Sequence, residues 1–168
     1  MEAIRSAIET ACAHLGEHPE KAVSTDATAT AVRENGLRFR VEGPNGAITT
    51  DMAASVGGGT SAPTPAWLMR AALASCDATL IAMEAARDGV ELTELKVTVD
   101  SETDFRGILG VDDSIDAGPR AVRVCIEVAA ANASEDQLRE IVKRAEARSP
   151  VRDAVVREVS MTTELVTA

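Results

Sequence analysis

The strongest pattern in the chain is an almost unbroken apolar run from Thr64 to Gly89, TPAWLMRAALASCDATLIAMEAARDG. Thr64 can cap a first turn with its hydroxyl, and Pro65 suits the first helical position, where no N–H is needed. Gly89 supplies the left-handed residue that closes a helix. The stretch predicts one long rod, roughly 36 Å at 1.5 Å per residue. Its charges before the last turn, Arg70, Asp77 and Glu84, recur at heptad spacing and share one narrow stripe. The remaining circumference is Trp, Leu, Met, Ile and Ala, so the helix is expected to be buried nearly all round, with Cys76 in its middle.

On either side the period changes. Residues 2–22 place Ile4, Ile8, Ala11, Cys12 and Leu15 on one helical face, and Cys12 is expected to pack within that stripe. His14 and His18 stand at i,i+4 without an evident third ligand and read as solvated surface histidines. From 28 to 51 the period is two: Leu37, Phe39 and Val41 alternate with Arg38, Arg40 and Glu42, and Asn35-Gly36 and Pro44-Asn45-Gly46 mark turns, which predicts a three-stranded meander. The loop from Met52 to Pro63 carries Gly57-Gly58-Gly59 but not the Lys-Ser/Thr ending of a nucleotide loop, and reads as a flexible connector. Beyond the long helix, Leu92, Leu95, Val97 and Val99 begin a strand, and an acidic turn spans Phe105 to Gly118. Val122, Val124, Ile126 and Val128 define another strand, whose second face carries Arg123, Cys125 and Glu127. Ser134 to Gln137 is a capping box opening a helix to about Arg148, with Leu138, Ile141, Val142 and Ala145 inward. Ser149-Pro150 starts a short helix, and Val159 to Val166 alternates as a closing strand. The order predicts an α+β fold with mostly antiparallel sheets wrapped on helices.

Composition narrows the function classes. A chain of 168 residues with 45% hydrophobic content suits one globular core, although one Trp, two Phe and no Tyr leave it built of small side chains. That favours further burial between subunits. A formal charge of −10 opposes binding to nucleic acid or to an anionic membrane surface. The long helix has the length of a membrane span, but Arg70, Asp77 and Glu84 would each be costly in lipid. Met1-Glu2-Ala3 has neither the basic start nor the apolar run of a signal peptide, so a cytoplasmic protein is expected. Three cysteines, without CxxC or Cys/His spacing, indicate neither a disulfide framework nor a zinc site, and no cofactor is expected.

Two motifs carry chemistry: T-P-x-x-L-x-x-A-A-L-A-S-C from Thr64 to Cys76, followed by G-V-E-L from Gly89, and A-E-A-R-S-P-V from Ala145 to Val151. In this order, separated by two strands, they resemble the OsmC/Ohr superfamily of thiol-dependent hydroperoxide reductases. The likeness is closer to the general OsmC-like branch, many of whose members have no established substrate. It runs from about Thr28 to the C-terminus, giving an N-terminal helical extension, 1–27, and an OsmC-like domain, 28–168. The resemblance implies an intertwined homodimer with the site at the subunit interface. It also implies a thiolate on the central helix that attacks the peroxide O–O bond, a second thiol that resolves the sulfenic acid as a disulfide, and an external dithiol that reduces it. An Arg oriented by a carboxylate would stabilise the thiolate.

Carried over residue by residue, Cys76 matches the attacking cysteine, whereas Ser149 stands where the second cysteine belongs. The family's acid would fall at Ala66 or Trp67, and neither is acidic. Arg33, Arg38 and Arg40 on the meander are the candidate cations, with Arg33 the first candidate for the thiolate partner. Asp77 beside Cys76 would oppose ionisation, and Cys125 is an alternative resolving thiol. Two readings stay open. One is a one-cysteine peroxidase in the oxidative-stress response, taking an apolar hydroperoxide and an external thiol. The other is a non-catalytic dimeric protein that binds a small apolar ligand or a partner.

Overall fold

The computed structural model describes residues 1–167. The predicted helix over 2–22 is α1, Glu2–Glu17, followed by a single 3₁₀ turn over Pro19–Lys21, because Pro19 cannot continue the α ladder. Strands β1 (Thr30–Asn35), β2 (Arg38–Gly43) and β3 (Gly46–Thr50) form the meander, with Arg33 opposite Phe39 and Val41 opposite Ile48. The long helix is α2, Pro65–Arg87. Strand β4 (Leu92–Thr103) leads through a four-residue helix α3 (Phe105–Ile108) to β5 (Pro119–Ala130), and the two strands pair as a second sheet. Ion pairs join Lys96 to Glu127 and Glu102 to Arg120 across the ladder, so the strands run in opposite directions. Helices α4 (Glu135–Arg148) and α5 (Pro150–Val156) complete an α+β fold.

The chain divides into two compact units. One comprises Met1–Arg5, Leu73–Val99 and the chain from Arg123 on; the other comprises Ser6–Ala72 and Asp100–Val122. In the first, Ile81 and Ala85 of α2 pack with Val90, Ile141 and Ala145, flanked by Leu95, Val97 and Ile126 of the sheet. This is the apolar face of α4 expected from its pattern, and Ser134 Oγ accepts the N–H of Gln137 as its cap. The two ends of α2 also follow their signals. Thr64 Oγ1 accepts the N–H of Trp67, and at the far end Gly89 (φ +67°) allows the N–H of Val90 to reach the carbonyl of Ala85.

Three expectations fail in the helices and at the end of the chain. The first concerns the charged stripe of α2, which does not face water. Asp77 is 1% and Glu84 2% exposed, and both are paired with arginines of α4 and α5, whereas Trp67, Ala72, Ser75 and Thr79 are exposed. The helix is therefore not buried all round; its acids are drawn inward by cations that the spacing alone did not reveal. The second concerns α1. Ile4, Ala11, Cys12 and Leu15 are exposed and Ile8 is half-buried, so among the described residues the stripe is not a buried face, and Cys12 is a surface thiol. The third concerns the closing strand. Residues from 158 to 167 have no regular secondary structure, and Met161 is 89% exposed. Alternation describes a segment suited to a half-buried sheet, but a strand also needs a neighbouring ladder to bond to.

In the second unit the glycine loop is not a loose connector. It wraps the carboxylate of Asp51, which accepts the N–H groups of Met52, Gly59 and Ser61 at 2.8–3.2 Å and the hydroxyl of Ser61 at 2.7 Å. Gly58 is required because a Cβ there would lie 1.9 Å from the carbonyl oxygen of Met52. The backbone N–H and hydroxyl of Ser61 lead these donors in holding the Asp51 carboxyl well below the usual carboxylate range. A depressed folded-state value stabilises the native form fully above the unfolded value and is lost as pH falls through the acid range. Asp51→Asn is accordingly expected to lower Tm by several degrees above about pH 5, with the gap to the parent closing below about pH 3. Thermal melts across that range check it; a gap that does not depend on pH would contradict the ionic origin.

Candidate functional site

Cys76 lies at the centre of α2, half-buried, on the turn between Leu73 and Ile81 that faces the first unit's core. Ser149 ends α4 and begins α5. The break follows from Pro150, which disfavours helical backbone in the residue before it but suits the first position of a new helix. Ser149 therefore adopts an extended conformation (φ −77°, ψ 109°), and its hydroxyl accepts the N–H of Arg152 at 3.3 Å as the cap of α5. The same hydroxyl donates to Cys76 Sγ at 3.3 Å. Ser149 is only 1% exposed, so this contact is enclosed within the protein.

A charged pair adjoins it. Arg152 Nη2 contacts Asp77 Oδ2 at 2.6 Å and Glu146 Oε1 at 3.0 Å. Asp77 Oδ1 and Arg152 Nε are buried and have no hydrogen-bond partner among the described residues. The acid that follows Cys76 in sequence is thus countered by a cation, which modifies the expectation that Asp77 simply opposes thiolate formation.

Of the residues singled out from the sequence, the structure brings Cys76 and Ser149 together. The candidate arginines are engaged in the meander and the loop after it: Arg33 Nε donates to the carbonyl of Gly36 at 3.0 Å, Arg38 to Glu34 and to Ser61 of the loop, and Arg40 to Glu42. Cys125 is exposed on β5, beside Glu127 on the outward face. Arg152 was missed. Its signal was available as a pattern: Arg144, Arg148 and Arg152 recur every fourth residue, matching acids on a helix otherwise too apolar to carry them unpaired.

A family model described as "OsmC-like protein" matches residues 57–164. Among solved structures, an OsmC-like protein from Mycoplasma pneumoniae superposes with a TM-score of 0.66 at 17% identity, covering 79% of this chain and 89% of the other. An organic hydroperoxide resistance protein from Legionella pneumophila gives 0.56 at 19% identity, covering 80% and 91%. The organic hydroperoxide resistance protein OhrB of Bacillus subtilis gives 0.52 at 20% identity, covering 79% and 91%. At these identities the likeness is one of fold. No protein of curated function matches the sequence.

Proposed function

Since the chain belongs to the OsmC-like protein family, we propose that it is a one-cysteine, thiol-dependent peroxidase acting on organic hydroperoxides. The observation that carries this reading is the Ser149 hydroxyl donating to Cys76 Sγ from the position where the resemblance implies a second sulfur. A thiolate at Cys76 attacks the O–O bond; the sulfur becomes a sulfenic acid, and the departing alkoxide takes a proton and leaves as an alcohol. Ser149 cannot condense with that sulfenic acid. An external thiol does so instead, releasing water and leaving a mixed disulfide, and a second external thiol then frees Cys76 as the external pair is oxidised. The hydroxyl that donates to the thiolate can donate equally to the sulfenate oxygen, which suits a site where the oxidised sulfur waits for a diffusing reductant.

The proposal includes an intertwined homodimer. Support comes from the exposed small-residue flank of α2, from the exposed Val32 and Ile48 of the meander, and from the alternating apolar residues after Val159. Light scattering is expected to give twice the chain mass; a monomer at micromolar concentration would remove this part of the reading.

The activity is tested by following an organic hydroperoxide in the presence of a small thiol. Cys76→Ser is expected to reduce consumption to the rate of the thiol alone, whereas Cys12→Ser and Cys125→Ser leave it near the parent rate. A parent protein no faster than Cys76→Ser would overturn the proposal.

A further inference from the structure

We infer that Arg152 is a positioning residue for the thiol of Cys76: its side chain neutralises Asp77, and its backbone N–H orients the Ser149 hydroxyl so that its proton points at the sulfur. The inference rests on the reading of Cys76 as the reactive group. Three charged groups meet here, one from each helix: Asp77 from α2, Glu146 from α4 and Arg152 from α5. Two carboxylates share one guanidinium, so the local balance is one negative charge. A buried carboxylate next to a cysteine disfavours the thiolate, and a cation pairing with that carboxylate relieves the effect.

The placement of Arg152 argues for this tertiary role. It sits in the first turn of α5, where the peptide dipoles favour an acid over a cation. Local preference therefore does not account for it, and Asp77 does. The backbone of the same residue supplies a second link. Because Ser149 Oγ accepts from Arg152 N, the hydroxyl proton is left to point elsewhere, and Cys76 Sγ is the acceptor it finds.

The experiment measures how alkylation of Cys76 by iodoacetamide depends on pH in the full-length protein, with the modified peptide quantified by mass spectrometry. Arg152→Gln is expected to move the midpoint upward by about one pH unit, because both acids lose their counter-charge. Asp77→Asn is expected to move it downward, since the buried negative charge that follows Cys76 in the chain is removed while the guanidinium stays with Glu146. Arg152→Lys keeps most of the parent behaviour. Should Arg152→Gln fold poorly, the double variant Asp77→Asn with Arg152→Gln removes the unpaired buried charge, and its midpoint should lie above that of Asp77→Asn alone. Folded variants whose midpoints all coincide with the parent would overturn the inference. No hydroperoxide is used, so a failure here is distinct from a failure of the peroxidase reading: midpoints that move as expected in a protein that consumes no hydroperoxide would uphold Arg152 and reject the proposed reaction.

Discussion

Ser149→Cys is expected to convert the protein into one that closes an internal disulfide with Cys76 when it meets a stoichiometric organic hydroperoxide. The parent should instead carry a sulfenic acid at Cys76, captured by a trap such as dimedone. The expectation follows from the 3.3 Å between Ser149 Oγ and Cys76 Sγ. A disulfide needs about 2.05 Å between sulfurs, and a C–S bond reaches about 0.4 Å further than a C–O bond, so a small rotamer change supplies the remainder. Once the first sulfur is oxidised, the introduced thiol condenses with it and water leaves. Peptide mass spectrometry reads the outcome as a cross-linked pair lighter by two hydrogens. Resolution becomes intramolecular, so turnover with a dithiol reductant should rise on the order of tenfold or more. The cost is a weaker cap on α5, about 1 kcal/mol in stability. A folded variant with both thiols still reduced after treatment would show that Cys76 does not react. One carrying dimedone at Cys76 but no cross-link would show that the two positions do not meet in solution.

Much of this arrangement could be read before any coordinates, and the failures have a common cause. Thr64, Pro65, Gly89, Ser134 and Pro150 act within one turn of themselves, and the elements they bound appear where expected. The pairing of Cys76 with Ser149 spans two strands and two helices, and no local rule reaches across it; it came from the resemblance, and the 3.3 Å contact accords with it. The direction of the acidic stripe on α2 was the hardest matter. Periodicity says which residues share a face but not whether that face looks to water or to arginines sixty to seventy-five positions away. The same limit applies to Val159–Val166, where alternation identifies a face and cannot provide the strand beside it. The meander offers Arg33 as a cation, whereas the cation that touches the acid next to Cys76 comes from α5, within the second half of the chain.

Glu84→Gln is the substitution expected to cost the most stability. The carboxylate is 2% exposed and is held by Arg148 Nη1, by Arg144 Nε at 3.1 Å and by Arg87 Nε at 3.6 Å, while Arg144 also reaches Asp88 at 2.7 Å. Removing one member of a buried ionic cluster typically costs about 3–5 kcal/mol, because the others are left without their counter-charge. Arg144 and Arg148 reach the surface and can turn partly to water, so about 2–3 kcal/mol is the better expectation, or roughly 5–10 °C in Tm for a chain of this size. The pH dependence distinguishes an ionic cause from a packing defect. Burial alone would raise the Glu84 carboxyl, but the hydrogen bonds of Arg148 and Arg144, with the charges of Arg148 and Arg87, outweigh it and hold the group below its ordinary value. A depressed folded-state value means that the stabilisation is complete above the unfolded value and fades as pH falls through it. The Tm gap between parent and variant should therefore be widest above about pH 5.5 and narrow below about pH 4. A gap of equal size at both ends would assign the loss to shape, and no gap at neutral pH would mean that α2 and α4 are held by Ile81, Ala85, Ile141 and Ala145 alone. The cluster is consequential for the site as well. Arg148 immediately precedes Ser149, so a salt link that fixes the end of α4 on α2 also fixes the height at which the hydroxyl meets the sulfur.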